Sequence, residues 1–150
     1  MILRKAQTID IATIAEFNQA MALETEGKNL SAERLLSGVT AVFDDPNKGF
    51  YIVAEFDATL AGCLLVTREW SDWRNSWFWW IQSVYVRPEY RGRGLYSKMY
   101  QFVKTLAAAE ANVCGFRLYV ERENRRARCV YEKLGMQESN YVMYEEEISK

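Results

Sequence analysis

The spacing of apolar positions predicts that the first third of the chain forms one strand and two helices. Residues 2–6 are apolar enough for a short strand. A helix over about residues 9–25 follows, since its apolar positions recur at helical spacing and Thr8 can cap its start. A second apolar stripe predicts a helix over about residues 31–43, and Gly27 is a natural stop between the two.

The rest of the chain predicts more strands, interrupted by two helices. Residues 50–56 and 60–69 form an antiparallel hairpin, because three residues separate them. Residues 77–86 are apolar at nearly every position, which is typical of a central strand covered on both faces. The remaining elements follow in order as a helix over 95–111, a strand over 116–120, a helix over 125–134 and a strand over 141–144. This order predicts an α/β fold, a mixed sheet with helices on both faces, in one domain over residues 1–150.

Composition narrows the partners and the compartment. The 150 residues carry a net charge of −1, and the basic residues form no obvious stripe, so we expect neither nucleic acid nor a membrane as partner. The N-terminus lacks a signal peptide's apolar region, and no apolar run could span a bilayer. The three cysteines have no metal-binding or redox spacing. These features predict a cytoplasmic protein with reduced thiols.

The chain contains no histidine. This excludes nucleophilic schemes that use a histidine base, and it removes the commonest zinc ligand, so we expect no metal. Proton transfer must use Glu, Asp, Tyr, Lys, Cys or water.

A strand, a glycine turn and a helix start follow one another in residues 84–97. Pro88 ends the strand pairing, Gly92 and Gly94 allow positive φ angles and close backbone approach, and a helix begins at once. Free N–H groups and the helix dipole at that start, together with Arg91 and Arg93, suit a phosphate or pyrophosphate.

The turn does not fit a Walker A loop, and Ser97 stands where a dinucleotide fingerprint needs its third glycine. Arg91-Gly92-Arg93-Gly94-Leu95-Tyr96 instead resembles the acetyl-CoA pyrophosphate loop of the GCN5-related N-acetyltransferases (GNAT), Arg-x-x-Gly-x-Gly/Ala, with Tyr96 in place of a small residue. The resemblance implies a mixed, mostly antiparallel sheet with a V-shaped cleft, in which the central strand's backbone pairs with the cofactor. The residues that it assigns to acetyl-CoA here are Val84, Tyr85, Val86, Arg91, Gly92, Arg93, Gly94, Leu95, Tyr96 and Ser97.

A second segment, residues 124–136, resembles the family's Asn-x-x-Ala-x-x-x-Tyr-x-x-x-Gly-Phe pattern, with Met136 for the aromatic. Asn124 suits a helix cap, and Ala127 and Tyr131 share a helix face because they are four residues apart. The resemblance implies that Asn124 and Ala127 line the cofactor arm. It also implies that Tyr131 protonates the departing thiolate.

The acceptor side is less defined. The resemblance implies that Gln82 stands where many family members have a glutamate facing the acceptor, and Gln cannot act as a base. Glu24 and Glu26 are candidates for the base and for the acceptor pocket, and Trp70 and Trp73 are candidates for its aromatic wall. If the two loops meet, Glu69 and Asp72 would complete an acidic pocket. A solvated helix end and an aromatic cluster or dimer contact are the alternatives.

These residues predict an N-acetyltransferase that moves an acetyl group from acetyl-CoA to a primary amine of a small molecule, by direct attack. The acceptor would be an amino-acid derivative or a polyamine-like compound. The alternatives are an inactive CoA-binding sensor and an interaction module using exposed tryptophans. A homodimer stays open.

Overall fold

The computed structural model describes residues 1–149, which divide into two compact units with the boundary after Tyr119. The first unit contains five strands and three helices, and the second contains one helix. The bounds are β1 (Ile2–Lys5), α1 (Ile11–Glu26), α2 (Ala32–Asp44), β2 (Phe50–Phe56), β3 (Thr59–Ser71), β4 (Ser76–Val86), α3 (Leu95–Ala109), β5 (Val113–Arg117) and α4 (Arg125–Lys133). One domain over 1–150 stays a prediction.

The sheet of the first unit has the order β1-β2-β3-β4-β5. The first four strands are antiparallel neighbours, and β5 pairs with β4 in parallel. A mixed, mostly antiparallel sheet with helices on both faces is therefore confirmed, and β4 lies inside it as its apolar run predicted.

Alternating side chains divide the sheet into two faces. On the α1/α2 face, helix residues such as Phe17 and Val39 pack with Tyr51, Cys63 and Tyr85. On the α3 face, where α3 contacts β2 and β4, the buried side chains include Ile52, Leu64, Val66, Trp79, Ile81, Met99 and Val103. Both faces are covered over the middle of the sheet, which gives the first unit two apolar layers.

The helix and hairpin ends follow the predicted turn chemistry, with one exception. Gly27 adopts φ 61° after α1, and its N–H bonds back to the Leu23 carbonyl, which is an αL stop. The predicted cap at Thr8 was wrong. The Asp10 carboxylate instead accepts the Gln7 N–H at 2.7 Å, because a 3-10 turn over Thr8–Asp10 precedes the helix.

Two strand predictions differ from the structure. The predicted strand over 116–120 lies three residues earlier, at β5, because Gly115 belongs inside it. A Cβ at Gly115 would stand 2.9 Å from the Phe78 ring, so this strand position needs a glycine for close packing.

The predicted strand over 141–144 is absent, since no strand occurs between residues 120 and 149. Tyr141 and Tyr144 are 79% and 93% exposed, so strand propensity alone does not order this segment into a sheet. Within the described residues, no helix is both long enough and apolar enough to cross a membrane.

Candidate active site

The turn between β4 and α3 has the geometry that its glycines predict. Gly92 and Gly94 adopt φ values of +76° and +73°, in the left-handed region that other residues rarely enter. A Cβ at either position would meet no atom within 4 Å, so the space beside the turn is open. The first turn of α3, which begins at Leu95, holds N–H groups that cannot bond within the helix. This arrangement can hold an anion on backbone donors.

Arg91 links this turn to two neighbouring elements. Its Nε donates to the Val86 carbonyl at 2.8 Å, and its Nη2 donates to the Glu24 carboxylate at 2.8 Å. Its guanidinium also lies 5.6 Å from the Tyr85 ring centroid. The structure therefore brings Glu24, at the end of α1, to the positively charged turn.

The remaining residues of the turn pack as follows. The Arg93 guanidinium lies 5.8 Å from the Tyr90 ring centroid. The Tyr96 ring stacks with the buried Tyr100 ring at 6.1 Å, so this large residue packs along α3. Ser97 lies in the first turn of the same helix.

β4 has a free edge next to the turn. Its parallel pairing with β5 runs from Trp77 to Trp80 and then stops, although β4 continues to Val86. Across residues 81–86, no described strand pairs with β4 on that side. Backbone groups on such an edge can bind an extended ligand as an added strand. The pairing of β4 with β5 therefore ends where the implied V-shaped cleft would open.

A bulge at Ser83 divides β4 into two segments. Ser83 has φ 50°, and opposite it the register with β3 shifts by one residue between Cys63 and Leu65. As a result Gln82 and Tyr85, three positions apart, lie on the same α1/α2 face. Tyr85 is buried against Phe17, with ring centroids 4.9 Å apart.

Gln82 is held by a neighbour on the sheet. Its Nε2 donates to Thr67 Oγ1 at 2.6 Å. The bond fixes the amide over the α1/α2 face, where it can donate and accept hydrogen bonds but cannot take a proton as a base.

The second unit contains the second predicted motif on one helix. Asn124 Oδ1 accepts the Ala127 N–H at 3.2 Å, which caps α4 as predicted. Ala127 and Tyr131 follow on one face of the helix. Tyr131 is half-buried, and this burial raises the pKa of its hydroxyl above the usual value near 10. The hydroxyl therefore keeps its proton at neutral pH, as a general acid must.

The structure does not bring together the two loops of the predicted acidic pocket. Glu24 lies beside Arg91, next to the Val86 end of β4, and Glu26 pairs with Lys28 at 3.2 Å. Trp70 stacks edge-on against Trp77 at 4.9 Å, at the other end of β4, and Trp73 is 90% exposed on the turn beyond. Nine strand residues separate the two ends, which is roughly 30 Å.

Sequence reasoning missed a cluster around Arg117 on the α1/α2 face. We call Glu69, Phe78, Trp80, Arg117 and Tyr119 the Arg117 cluster. Arg117 Nη1 donates to Glu69 Oε1 at 2.6 Å, and the guanidinium lies 3.6 Å from the Phe78 ring centroid. Trp80 Nε1 donates to the same Glu69 oxygen at 3.2 Å. The alternation of residues 78, 80 and 82 was a signal for this face, but the misplaced β5 concealed Arg117.

Comparisons with known proteins agree with this geometry. The sequence profile of the Acetyltransferase (GNAT) family matches residues 12–136. A solved structure described as a possible acetyltransferase from Clostridium difficile 630 is 44% identical, with a TM-score of 0.92, covering 99% of this chain and 98% of that one.

A second solved structure is similar in fold. It is a predicted acetyltransferase with acetyl-CoA from Clostridium acetobutylicum, 18% identical, with a TM-score of 0.79 and coverage of 97% of this chain and 95% of that chain. With a family profile that matches most of its length, this chain belongs to the GNAT acetyltransferase family, whose cofactor is acetyl-CoA.

Proposed function

We propose that this protein transfers an acetyl group from acetyl-CoA to a primary amine of a small molecule. One observation carries the proposal: the free edge of β4 leads directly into a glycine turn with positive φ angles and a helix N-terminus. An extended, pyrophosphate-bearing ligand fits this combination, since the edge offers backbone pairing and the turn offers backbone N–H groups. The Clostridium acetobutylicum relative, described with acetyl-CoA, adds support.

The chain's residues divide the cofactor between them in this proposal. Residues 91–97 hold the pyrophosphate, and the backbone of residues 84–86 orients the arm. The family resemblance assigns Asn124 and Ala127 to the same arm. Bound acetyl-CoA supplies a thioester whose carbonyl carbon forms a bond with the amine nitrogen while the carbon–sulfur bond breaks.

Two protons must move. Backbone N–H groups on the edge of β4 can stabilise the oxygen that becomes negative. Tyr131, kept protonated by its burial, donates a proton to the departing sulfur and regains one from solvent. The amine must lose its own proton first, because an exposed alkylamine is mostly charged at pH 7. Water is the proposed first acceptor of that proton, and Glu24 or Glu26 would receive it only through a chain of waters, because Glu24 lies beside Arg91 at the Val86 end of β4.

A screen of primary amines with acetyl-CoA tests the function. We expect release of free thiol together with a product heavier by one acetyl group for at least one class of amine. Release of thiol without an acetylated product would indicate hydrolysis, and that result would contradict the proposal.

One observation favours a second function, a CoA-binding sensor that does not transfer. Gln82 is hydrogen-bonded to Thr67, and it cannot serve as a base at the position where the family resemblance implies a glutamate. Binding of CoA by calorimetry, combined with no thiol release for any amine, would favour the sensor.

A further inference from the structure

The Arg117 cluster lies where the paired part of β4 ends. Trp80 and Arg117 form the last pair of the β4–β5 ladder, and the free edge begins at the next residue. If the turn at 91–97 holds the pyrophosphate, the cofactor arm runs back along this edge from Val86 towards Gln82. Four strand residues span about 13 Å, so the reactive end of the arm arrives beside the cluster.

The sheet presents the cluster on an open part of its α1/α2 face. Glu69, Phe78, Trp80 and Arg117 lie on this face, because they pair across the strands with matching alternation. Helices α1 and α2 cover the part of the face around Tyr51, Cys63 and Tyr85. The Arg117 and Glu69 side chains keep 34% and 44% of their surface exposed, so a small molecule can reach them.

Within the cluster, the Glu69 carboxylate uses more of its hydrogen-bonding capacity than the Arg117 guanidinium does. One oxygen of Glu69 already accepts from both Arg117 and Trp80. Arg117 gives Glu69 one N–H, from Nη1, of the five that a guanidinium carries. A second guanidinium, that of Arg74, lies 4.9 Å from the centroid of the same Phe78 ring. Arg74 belongs to the turn between β3 and β4, where the Asp72 carboxylate accepts the backbone N–H of Trp73. The remaining N–H groups of Arg117 and the Arg74 guanidinium therefore leave cationic donors that an anionic group can bind.

The orientation of Arg117 is fixed by its neighbours. Phe78 contacts the guanidinium through its ring, and Glu69 binds one corner. Gly115 permits this packing, since a Cβ there would stand 2.9 Å from the Phe78 ring. A guanidinium held in this way can present paired donors to a carboxylate, which binds in the same plane. Trp80 and Tyr119, with ring centroids 6.2 Å apart, offer apolar surface beside it.

We propose that the acceptor amine also carries a carboxylate, and that Arg117 binds this carboxylate while Glu69 positions Arg117. This inference rests on the proposed acetyl transfer and narrows its substrate class to amino-acid-like acceptors. It disfavours a polyamine-like compound, which would bring further positive charge next to two guanidinium groups.

Matched acceptors test the inference on the unmodified protein. Each amino acid in the panel is compared with its amide and with the amine that lacks the carboxyl group. We expect kcat/KM to be at least about tenfold higher for the carboxylate, since a charged hydrogen-bonded pair contributes that much discrimination or more. Equal or better use of the uncharged partners would overturn the inference and leave acetyl transfer standing. Failure of every acceptor would instead refute the proposed function.

Variants locate the effect at Arg117. Arg117→Gln should lower kcat/KM for the carboxylate by about ten- to a hundredfold, with little change for the decarboxylated amine and for CoA affinity. Arg117→Lys should retain part of the activity, because it keeps the charge and loses the paired donors. Arg68→Gln is the matched control, since Arg68 lies on the opposite face of β3, over Phe50. A loss common to all acceptors in Arg117→Gln would contradict recognition of the carboxylate.

A binding measurement covers the case in which Arg117→Gln does not fold. The N-acetylated amino acid and its amide are titrated into the wild-type protein with CoA present. Tighter binding of the carboxylate, weakening as salt rises, supports the inference. Equal binding of the two compounds overturns it.

Discussion

The two segments of β4, before and after the bulge at Ser83, offer different kinds of groups for binding a ligand. At the Val86 end, the structure offers backbone groups: two glycines with positive φ, a helix N-terminus and a free strand edge. At the Trp80 end, it offers side chains collected from three strands around Arg117. Backbone recognition needs glycines at fixed spacing, so it leaves a motif in the sequence. Side-chain recognition depends on strand register, which leaves no local motif.

The largest effect is expected at Tyr131, where a substitution should lower turnover without changing the affinity for CoA. Tyr131→Phe should lower kcat by about 10²–10⁴-fold, which is the usual contribution of a general acid, while CoA affinity at the glycine turn stays the same. Pre-steady-state kinetics and calorimetry with CoA measure the two quantities. An unchanged kcat with chemistry rate-limiting would make Tyr131 a packing residue.

Substitution of one glycine tests ligand binding by the backbone at the Val86 end of β4. Gly94→Glu should weaken CoA binding by about a hundredfold, because the new residue is strained at φ +73° and adds a carboxylate beside the pyrophosphate site. Calorimetry measures the affinity. Gly27→Glu is the matched control, since Gly27 also has a positive φ of 61° and open space around it. Unchanged CoA affinity in a folded Gly94→Glu protein would refute the assignment of the turn.

The buried Cys63, in the apolar middle of the sheet, leads to a prediction about stability at alkaline pH. Burial raises the pKa of the Cys63 thiol from 9.0 to about 12. The unfolded thiol ionises above pH 9 while the folded one stays neutral, so stability is intact below pH 9 and falls as pH rises towards 12. The loss attributable to Cys63 is on the order of 1 kcal/mol at pH 10.

Denaturant titrations at pH 8 and pH 10 measure this loss. The stability gap between wild type and Cys63→Ala should narrow by that amount at the higher pH. Cys114→Ala, at an exposed cysteine, is the control variant. A gap that is constant with pH would show that the Cys63 thiol does not resist ionisation in the folded protein.

The smallest expected effect concerns the counter-ion of the glycine turn. Glu24→Gln should raise CoA affinity by about two- to fivefold, because an exposed ion pair with Arg91 contributes at most about 1 kcal/mol. Glu26→Gln, whose carboxylate pairs with Lys28, should leave CoA affinity unchanged and is the control.

Kinetics of the same two variants test the general base. A fall in kcat for one variant at saturating amine would identify that glutamate as a proton acceptor. Activity equal to wild type in both single variants and in the double variant would leave water as the acceptor.

The sequence was sufficient to predict the order of the helices and of most strands, and insufficient to predict the register in which the strands pair. The apolar run at 77–86 and the short 57–59 turn predicted a central strand and a hairpin, because burial and turn chemistry are local properties. The β3–β4 hairpin extends to Ser71 and Ser76, two residues past Glu69, because Trp70 pairs with Trp77 across it. The predicted strand begins after Gly115, whereas the long-range packing of Gly115 against Phe78 places this glycine inside β5. That error moved β5 and hid Arg117.

The same distinction applies to the candidate site. Gly92 and Gly94 were predicted with their conformation, since few residues tolerate positive φ. The pairing of Glu24 with Arg91 joins residues 67 positions apart and had no local signal. The separation of Trp70 from Glu24 likewise depends on how α1 crosses the sheet. Contacts of this kind follow from tertiary packing, which a single sequence does not display.

The bulge at Ser83 determines which changes in β4 the protein can accept during evolution. One extra residue resets the alternation, so even-numbered side chains face α1 and α2 before the bulge and Tyr85 does so after it. If the proposed acetyl transfer holds, substitutions at positions 78, 80 and 82 alter the acceptor preference without changing the backbone of residues 84–86. Deleting a single residue at the bulge would instead exchange the faces of one segment and take Tyr85 away from its contact with Phe17. Relatives should accordingly vary the acceptor by substitution and conserve the length of this strand.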